Sequence, residues 1–309
     1  MRSRIILLII YLSVFGGAIG FLAKISLQAF SPLTTIFLRL IISIAFFAVI
    51  FANQQRLIQS LKKMAAHWKG FVLLAFSGIG GAMIVSFIGL QYTTAIHYDL
   101  IFNSSSLFIL LFAALLLREK IKRLDVALIA TALFGVILVI VNGNLSLSIL
   151  TEGNVFGDAL IFVAASAWAL YSVLGIKISR KSPELDPTTL TFGSFIFATI
   201  FLLPFVVSQK NFGIIPEAIN IKTVSAIFTL AIFSTAILFF LWFKFINEKG
   251  GVWAALISLS ENVGGVIFPI LFLSEKLTLY TVIGGLLITA AVIAKELFEK
   301  KHEHQPKTA

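Results

Sequence analysis

Long apolar stretches, separated by short polar connections, run along almost the whole 309-residue chain. A helix needs about 20 mainly apolar residues to cross the hydrocarbon core of a bilayer, and ten stretches approach this length. Their predicted limits are 5–23, 33–52, 70–90, 99–117, 124–141, 156–176, 189–208, 223–243, 252–273 and 277–294. The pattern therefore predicts an all-α membrane protein with ten transmembrane helices, numbered here as spans 1 to 10.

The composition supports a membrane protein, because 59% of the residues are hydrophobic, only 12% are charged and the mean hydropathy is +1.03. A soluble domain carries about 25% charged residues, so this chain has too little polar surface for a water-soluble globule. There is no cysteine, which excludes disulfides and thiolate-bound metals. The sequence also lacks the motifs of zinc hydrolases, P-loop proteins and dinucleotide-binding folds, so we expect no metal and no cofactor.

Basic residues are distributed unevenly between the two predicted sides of the membrane. With ten alternating spans, 19 of the 24 Lys and Arg residues fall in connections on one side and four on the other, while Arg39 lies inside span 2. Basic connections are retained in the cytoplasm, so both termini are predicted to be cytoplasmic in a multi-pass protein of the cell inner membrane. This distribution explains the net charge of +10 without nucleic acid as a partner.

The second half of the chain repeats the pattern of the first. Tyr98–Lys120 aligns without a gap with Ala254–Lys276, and each segment ends in a Glu-Lys pair. Because each half has an odd number of spans, the second copy must be inverted in the membrane, a plan common in secondary transporters. The predicted division is a first repeat at 1–143, an inter-repeat loop at 144–155, a second repeat at 156–296 and a polar cytoplasmic tail at 297–309.

Several segments resemble one known family. The segments are Leu38-Arg39 early in span 2, GLQYTTA at Gly89–Ala95, LLLREKIKRLDVALIATALFGVILV at Leu115–Val139, AASAWALYS at Ala164–Ser172 and LFLSEKLTLYTVIGGLLITAAVI at Leu271–Ile293. Together with the ten spans, they resemble the EamA family of the drug/metabolite transporter superfamily. The resemblance implies proton-coupled or facilitated transport of small metabolites, often amino-acid export. It also implies a central cavity lined by spans 1, 3, 4, 6, 8 and 9, with spans 5 and 10 at the periphery.

Glu261 is the strongest candidate for a functional residue, because it lies near the middle of span 9. An ionised carboxylate that faces lipid costs several kcal/mol, so Glu261 must face protein or a cavity, or be protonated. Ser258, Gly264 and Gly265 lie on the same helix face, which is small and polar, as at helix contacts. We predict that Glu261 couples transport to protons or contacts the solute. The alternative is a structural, hydrogen-bonded glutamate.

Polar and aromatic residues in spans 4 and 6 are further candidates. Asp99, Asn103 and Ser106 share one helix face and are predicted to contact the substrate, with the alternative that Asp99 caps the start of the helix. Trp168 and Tyr171 lie inside span 6, where they either stack on a ligand or pack in the core.

The Glu-Lys pairs have two interpretations. They are either salt bridges that open and close as gates or, as we prefer, charge pairs that set the turn into the next helix. The residues concerned are Glu119, Lys120, Glu275 and Lys276. A G-x-x-x-G motif at Gly16 and Gly20 in span 1 predicts a close helix contact.

Four other charged or titratable residues receive local interpretations. Lys24 and Arg39 are expected to snorkel to the membrane interface, with an anion-attracting outer vestibule as the less favoured alternative. His97 is expected in a surface loop rather than in a proton relay, and Asp158 at the N-cap of span 6.

These features predict an inner-membrane secondary transporter that moves a small metabolite by alternating access, most simply as an exporter of an amino acid or related compound. The expected partners are the solute, protons if transport is proton-coupled, and the lipid bilayer, with the protein as a monomer or homodimer. Import of a solute like S-adenosylmethionine or a nucleotide is the alternative within this fold. An intramembrane enzyme is the alternative from another class, disfavoured by the single mid-span acid.

A reporter fused after Thr308 tests the predicted topology. Because the C-terminus is predicted to be cytoplasmic, alkaline phosphatase fused there should be inactive, whereas green fluorescent protein should fluoresce. The same fusions after Gly143, in a connection predicted to be periplasmic, should give the opposite pattern. Phosphatase activity after Thr308 would mean a miscounted span and would contradict the inverted repeat.

Overall fold

The computed structural model describes residues 10–50, 54–118, 123–143, 153–244 and 261–303. They form the helices α1 (Leu12–Ser26), α2 (Pro32–Ile50), α3 (Gln54–Ala66), α4 (Trp68–Leu90), α5 (Ala95–Leu117), α6 (Arg123–Val141), α7 (Gly153–Lys181), α8 (Pro187–Val207), α9 (Ile221–Lys244), α10 (Glu261–Leu273) and α11 (Leu279–Glu303). Short 3-10 turns at Lys210–Gly213 and Pro216–Ala218 connect α8 to α9. The β structure of the described residues is one antiparallel bridge between Phe30 and Ile214.

The helices have the length and composition of a membrane protein. In the described part of the chain, the seven helices α2 and α4 to α9 are long and apolar enough to cross a membrane, and α1, α10 and α11 are shorter apolar helices. Each of these overlaps one of the ten predicted stretches. Large apolar side chains such as Val49, Ile200 and Leu286 are exposed, as expected for surfaces that face lipid. The count of ten spans and the cytoplasmic termini stay predictions.

The amphipathic helix α3 lies where the sequence predicts a loop between spans 2 and 3. Ser60 and Met64 are buried on one side of α3, and Ser60 Oγ lies 3.2 Å from Thr189 Oγ1. Arg56 and Lys62 are exposed. A helix with a basic, polar face is suited to lie along a membrane surface. A search for apolar stretches of spanning length misses α3 because it is short and polar.

Local backbone geometry repeats between the two halves. Arg118, which follows α5, and Ser274, which follows α10, have positive φ angles of 58° and 56° and occupy aligned positions of the sequence repeat. π-helical turns at Ala75–Ile84 in α4 and Ile232–Ile237 in α9 also lie in corresponding spans. Residues other than glycine rarely adopt positive φ, so the shared geometry supports the repeat independently of the apolar matches.

Glycines allow two pairs of helices to approach closely. A Cβ atom on Gly135 of α6 would lie 2.7 Å from the Gly284 carbonyl oxygen of α11. In the second pair, a Cβ atom on Gly264 of α10 would collide with the Ser13 carbonyl oxygen, and one on Gly17 of α1 would collide with α10. The main chains of α1 and α10 are therefore in direct contact.

Replacing Gly264 by alanine should destabilise the protein, because the new methyl group would overlap the main chain of α1. Overpacking of this kind costs about 1–3 kcal/mol. The expected result for Gly264→Ala is a lower unfolding temperature of the purified protein in detergent, measured by tryptophan fluorescence.

The matched control is Gly80→Ala, which adds the same methyl group to another helix. The nearest atoms to a Cβ at Gly80 lie at 3.4 and 3.6 Å, which are ordinary contact distances. Equal unfolding temperatures for the two variants would show that the contact between α1 and α10 is not tight.

Candidate functional site

A cavity of about 100 Å³ lies among helices from both halves of the chain. Its lining comes from α1, α4, α5, α7, α9 and α10, as the resemblance implies for spans 1, 3, 4, 6, 8 and 9, with Arg39 of α2 in addition. Among the described residues, α6 and α11 contribute nothing to it. The side chains with polar groups that line it are those of Arg39, Ser86, Tyr98, Asp99, Asn103, Ser105, Ser106, Trp168, Trp242 and Glu261.

Two carboxylates, Asp99 of α5 and Glu261 of α10, lie in this cavity beside the glycines of α1. A Cβ atom on Gly16 would lie 2.6 Å from the Glu261 carboxyl carbon, and one on Gly20 would lie 2.9 Å from Asp99 Oδ2. Because Gly16 and Gly20 are four residues apart, the two carboxylates contact α1 about one helical turn from each other. Each fits against α1 because no side chain occupies that position.

The interpretation of Asp99 as a helix cap is wrong. Thr94 is the N-cap of α5, and its side chain accepts a hydrogen bond of 3.1 Å from the His97 backbone N–H. Asp99 lies one turn further into the helix, and its Oδ2 atom is buried without a hydrogen-bond partner among the described residues. An unsatisfied buried acceptor costs about 1–3 kcal/mol, so this atom is a candidate contact for a ligand.

Arg39 does not snorkel to the interface, which corrects the expectation from the sequence. Its side chain is 2% exposed, Nε donates to Thr235 Oγ1, and a terminal nitrogen donates to the Ser234 carbonyl oxygen at 3.1 Å. The guanidinium carbon lies 5.5 Å from the centre of the Phe87 ring. The expectation fails because these partners belong to α9, far along the chain from α2, and are invisible to local sequence rules.

The predicted polar face of span 4 lies in the same cavity. Asn103 and Ser106 line it together with Asp99, and so does Ser105, the residue that aligns with Glu261 in the repeat. The structure therefore brings these candidates of the first repeat together with Glu261 of the second. Ser258, the other polar candidate in span 9, lies outside the described residues.

An aromatic wall, formed by Phe102, Trp168, Phe239 and Trp242, covers another side of the cavity. The ring centre of Trp168 lies 5.1 Å from that of Phe239 and 6.3 Å from that of Trp242. Trp242 Nε1 is buried without a partner among the described residues. Tyr171, the other aromatic candidate, is fully buried behind Trp168 and is not part of the lining.

Irregular helical turns surround the cavity. π-helical turns occupy Leu12–Gly16 of α1, Ala75–Ile84 of α4 and Ile232–Ile237 of α9, and α-helical geometry is interrupted at Asn103–Ser104 within α5. π turns inside helices are frequent at functional sites. Irregular backbone at membrane depth is tolerated where it is buried in protein or lines a cavity. The irregular helical turns and the polar side chains therefore occur in the same region, around the cavity.

Glu275 joins α1, α5 and the end of α10 on the predicted outer side. Its Oε1 atom lies 3.2 Å from Lys24 Nζ, and its carboxylate accepts hydrogen bonds from the backbone N–H groups of Ala95 at 2.8 Å and Ile96 at 3.0 Å. The free N–H groups and the dipole of a helix N-terminus favour a carboxylate at this position. Glu275 therefore ties the start of α5 to the end of α10.

The ion pair at the end of α10 has a different cation from the one that the sequence suggests, because Glu275 pairs with Lys24. Lys24 does not simply snorkel, because it pairs with Glu275 and also donates to the Thr93 carbonyl oxygen at 2.7 Å. Lys276 is exposed. Glu119 and Lys120, the equivalent pair of the first repeat, lie outside the described residues.

A second polar connection links α5, α7 and α11. His97 Nδ1 lies 2.9 Å from Asp158 Oδ2, and His97 Nε2 lies 3.3 Å from Thr281 Oγ1. The surface-loop interpretation of His97 is wrong, because the residue lies within α5 and its side chain is 12% exposed. The N-cap interpretation of Asp158 is also wrong, because this buried residue lies inside α7, which begins at Gly153.

The sequence alone does not identify Arg39 and Trp242 as cavity residues. A signal for Arg39 exists, since an ionisable residue well inside a membrane span is a functional candidate by default. No comparable signal exists for Trp242, because an aromatic residue in an apolar helix usually packs against its neighbours.

Comparisons with known proteins agree with the fold. The model of the EamA-like transporter family matches residues 3–141 and 155–294. An uncharacterized transporter of Archaeoglobus fulgidus is 28% identical over 93% of this chain and 95% of its own. The uncharacterized transporter YyaM of Bacillus subtilis is 28% identical over 94% of this chain and 92% of its own.

Two further similarities are more distant. A probable amino-acid metabolite efflux pump of Salmonella typhimurium is 26% identical over 63% of this chain and 64% of its own. A solved crystal structure with 18% sequence identity reaches a TM-score of 0.67 over 98% of this chain and 100% of its own, which supports the fold alone. The two family matches cover most of the sequence, and the similar proteins are named as transporters. This chain is therefore a transporter that belongs to the EamA-like transporter family.

Proposed function

We propose that the protein is a secondary transporter that exports an amino acid or a related small metabolite by alternating access. The observation that carries this proposal is the cavity between the two halves, in which the partly buried side chains of Asp99 and Glu261 both lie against α1. In transporters built from inverted repeats, the solute binds near the midplane between the repeats, and rocking of the repeats exposes it to each side in turn.

The size of the cavity supports a small solute. Its volume of about 100 Å³ compares with about 300–1,000 Å³ for pockets that hold drug-sized ligands. Its lining combines charged and hydroxyl groups with an aromatic wall, a combination that suits an amphipathic metabolite. The name of the similar Salmonella protein, an amino-acid metabolite efflux pump, supports export of an amino acid in particular.

The carboxylate pair supports coupling to protons. Two ionised carboxylates about one helical turn apart in a site lined by protein repel each other. The pair therefore favours a state that keeps a proton, and it releases that proton when water or solute reaches the cavity. Because the sequence contains no nucleotide-binding motif, the driving energy comes from an ion or solute gradient. The protein works in the cell inner membrane with both termini in the cytoplasm.

Glu261→Gln tests this proposal, because it keeps the shape of the side chain and removes its proton exchange. Wild-type protein in proteoliposomes should show saturable counterflow of at least one member of a panel of amino acids and related metabolites. The flux should respond to an imposed pH gradient. In Glu261→Gln, the unfolding temperature should be preserved while the response to the pH gradient is lost.

The matched control is Glu217→Gln, the same chemical change in an exposed turn between α8 and α9, which should keep the wild-type response. A wild-type pH response in Glu261→Gln would remove this residue from the coupling mechanism. Absence of saturable counterflow across the whole panel in the wild type would contradict the proposed function.

A further inference from the structure

Arg39 is a buried cation that faces the cavity without a carboxylate partner. Among the described residues, its side-chain hydrogen bonds go to the neutral acceptors Thr235 Oγ1 and the Ser234 carbonyl oxygen, and no carboxylate lies within 4.0 Å of it. A guanidinium group has more N–H donors than these two, arranged as a planar fork that matches a carboxylate. A buried charge is normally paired. Arg39 therefore has both the charge and the additional N–H donors to bind an anionic group.

The anionic groups of the cavity belong to other helices. Asp99 and Glu261 lie on α5 and α10 against α1, whereas Arg39 lies on α2 against α9. Asp99 Oδ2 is buried without a partner among the described residues. One cavity therefore presents a cation and two carboxylates that form no ion pair within 4.0 Å among the described residues.

We propose that Arg39 is the residue that selects for the carboxylate of a zwitterionic solute in this cavity. In this arrangement the guanidinium binds the solute carboxylate, Asp99 and Glu261 bind the solute ammonium group, and the aromatic wall packs against a small apolar side chain. This inference rests on the proposed transport function and assigns a specificity-determining residue to its site.

Charge matching distinguishes this substrate from its simpler analogues. An amine without a carboxylate leaves Arg39 unpaired next to a second cation, and an acid without an ammonium group leaves the carboxylates facing another anion. Each mismatch leaves a charge inside the protein uncompensated, which is strongly unfavourable. A zwitterion compensates both signs at once.

Binding of a matched trio of ligands to the full-length protein in detergent tests the inference. The probes are L-leucine, 3-methylbutylamine, which lacks only the carboxylate, and 4-methylpentanoate, which lacks only the amino group. A second trio of L-alanine, ethylamine and propanoate tests the same discrimination for a smaller side chain. Isothermal titration calorimetry measures each affinity without interference from passive diffusion of the analogues across a membrane.

In the wild type, the amino acid of at least one trio should bind more tightly than both of its analogues. Loss of a charge-assisted hydrogen-bond pair predicts a preference of about 10- to 100-fold.

Arg39→Gln should abolish the preference over the amine while keeping the preference over the acid, and Asp99→Asn should weaken the preference over the acid. Arg39→Lys should retain part of the selectivity, because it keeps the charge and loses the fork. Arg56→Gln, at an exposed arginine of α3, should bind as the wild type does.

Two results would overturn the inference: wild-type protein that binds the amine or the acid as tightly as the amino acid, or Arg39→Gln that keeps the preference over the amine. The wild-type comparison holds even if Arg39→Gln fails to fold. Saturable counterflow of some solute in proteoliposomes without this charge preference would leave the transport proposal intact and reject only the zwitterion site. Absence of both binding and counterflow would reject both.

Discussion

Direct main-chain contact between α1 and α10 determines where the charged groups of the cavity lie. Gly17 and Gly264 bring the two helices together, and the neighbouring glycines of α1 leave room for the side chains of Glu261 and Asp99. A bulkier residue at any of these positions would separate the helices or displace a carboxylate. The membrane adds the second constraint, because ionisable groups at this depth must face protein or water rather than lipid. Together these two constraints confine the carboxylates to the interface between the halves.

The sequence predicts the helices and one side of the site, because both follow from local patterns. Spanning helices follow from apolar length, and the shared face of Asp99, Asn103 and Ser106 follows from helical periodicity. The position of Glu261 follows from its depth in an apolar stretch. Each of these signals lies within a few turns of one helix, and the structure brings the residues together in one cavity.

The remaining features depend on contacts between distant parts of the chain. Local sequence rules explain Arg39, His97 and Asp158 plausibly, but a partner on another helix determines where each side chain lies. Arg39 bonds to Thr235, and His97 pairs with Asp158. A search for membrane spans does not detect α3, because the helix has no long apolar stretch. Its buried residues pack against α8 instead. Local rules therefore fail where a polar group has been buried by tertiary structure.

The two halves share a backbone plan but not a charge distribution. The left-handed residues Arg118 and Ser274 follow the repeat, whereas Glu261 aligns with the uncharged Ser105. The two halves therefore share the positions of their backbone irregularities, whereas the charged residues that line the cavity are distributed unequally between them.

The hydrogen bond from Arg39 to Ser234 spans 195 residues of sequence, which has a consequence for biosynthesis. At translation rates of about 5–20 residues per second, α2 enters the membrane about 10–40 s before its partner on α9 has been made. During this interval the guanidinium lacks its final acceptors, and extension of the long side chain towards the headgroups provides water in their place. The acceptors that hold Arg39 in the folded protein therefore become available only after α9 has been made, late in synthesis.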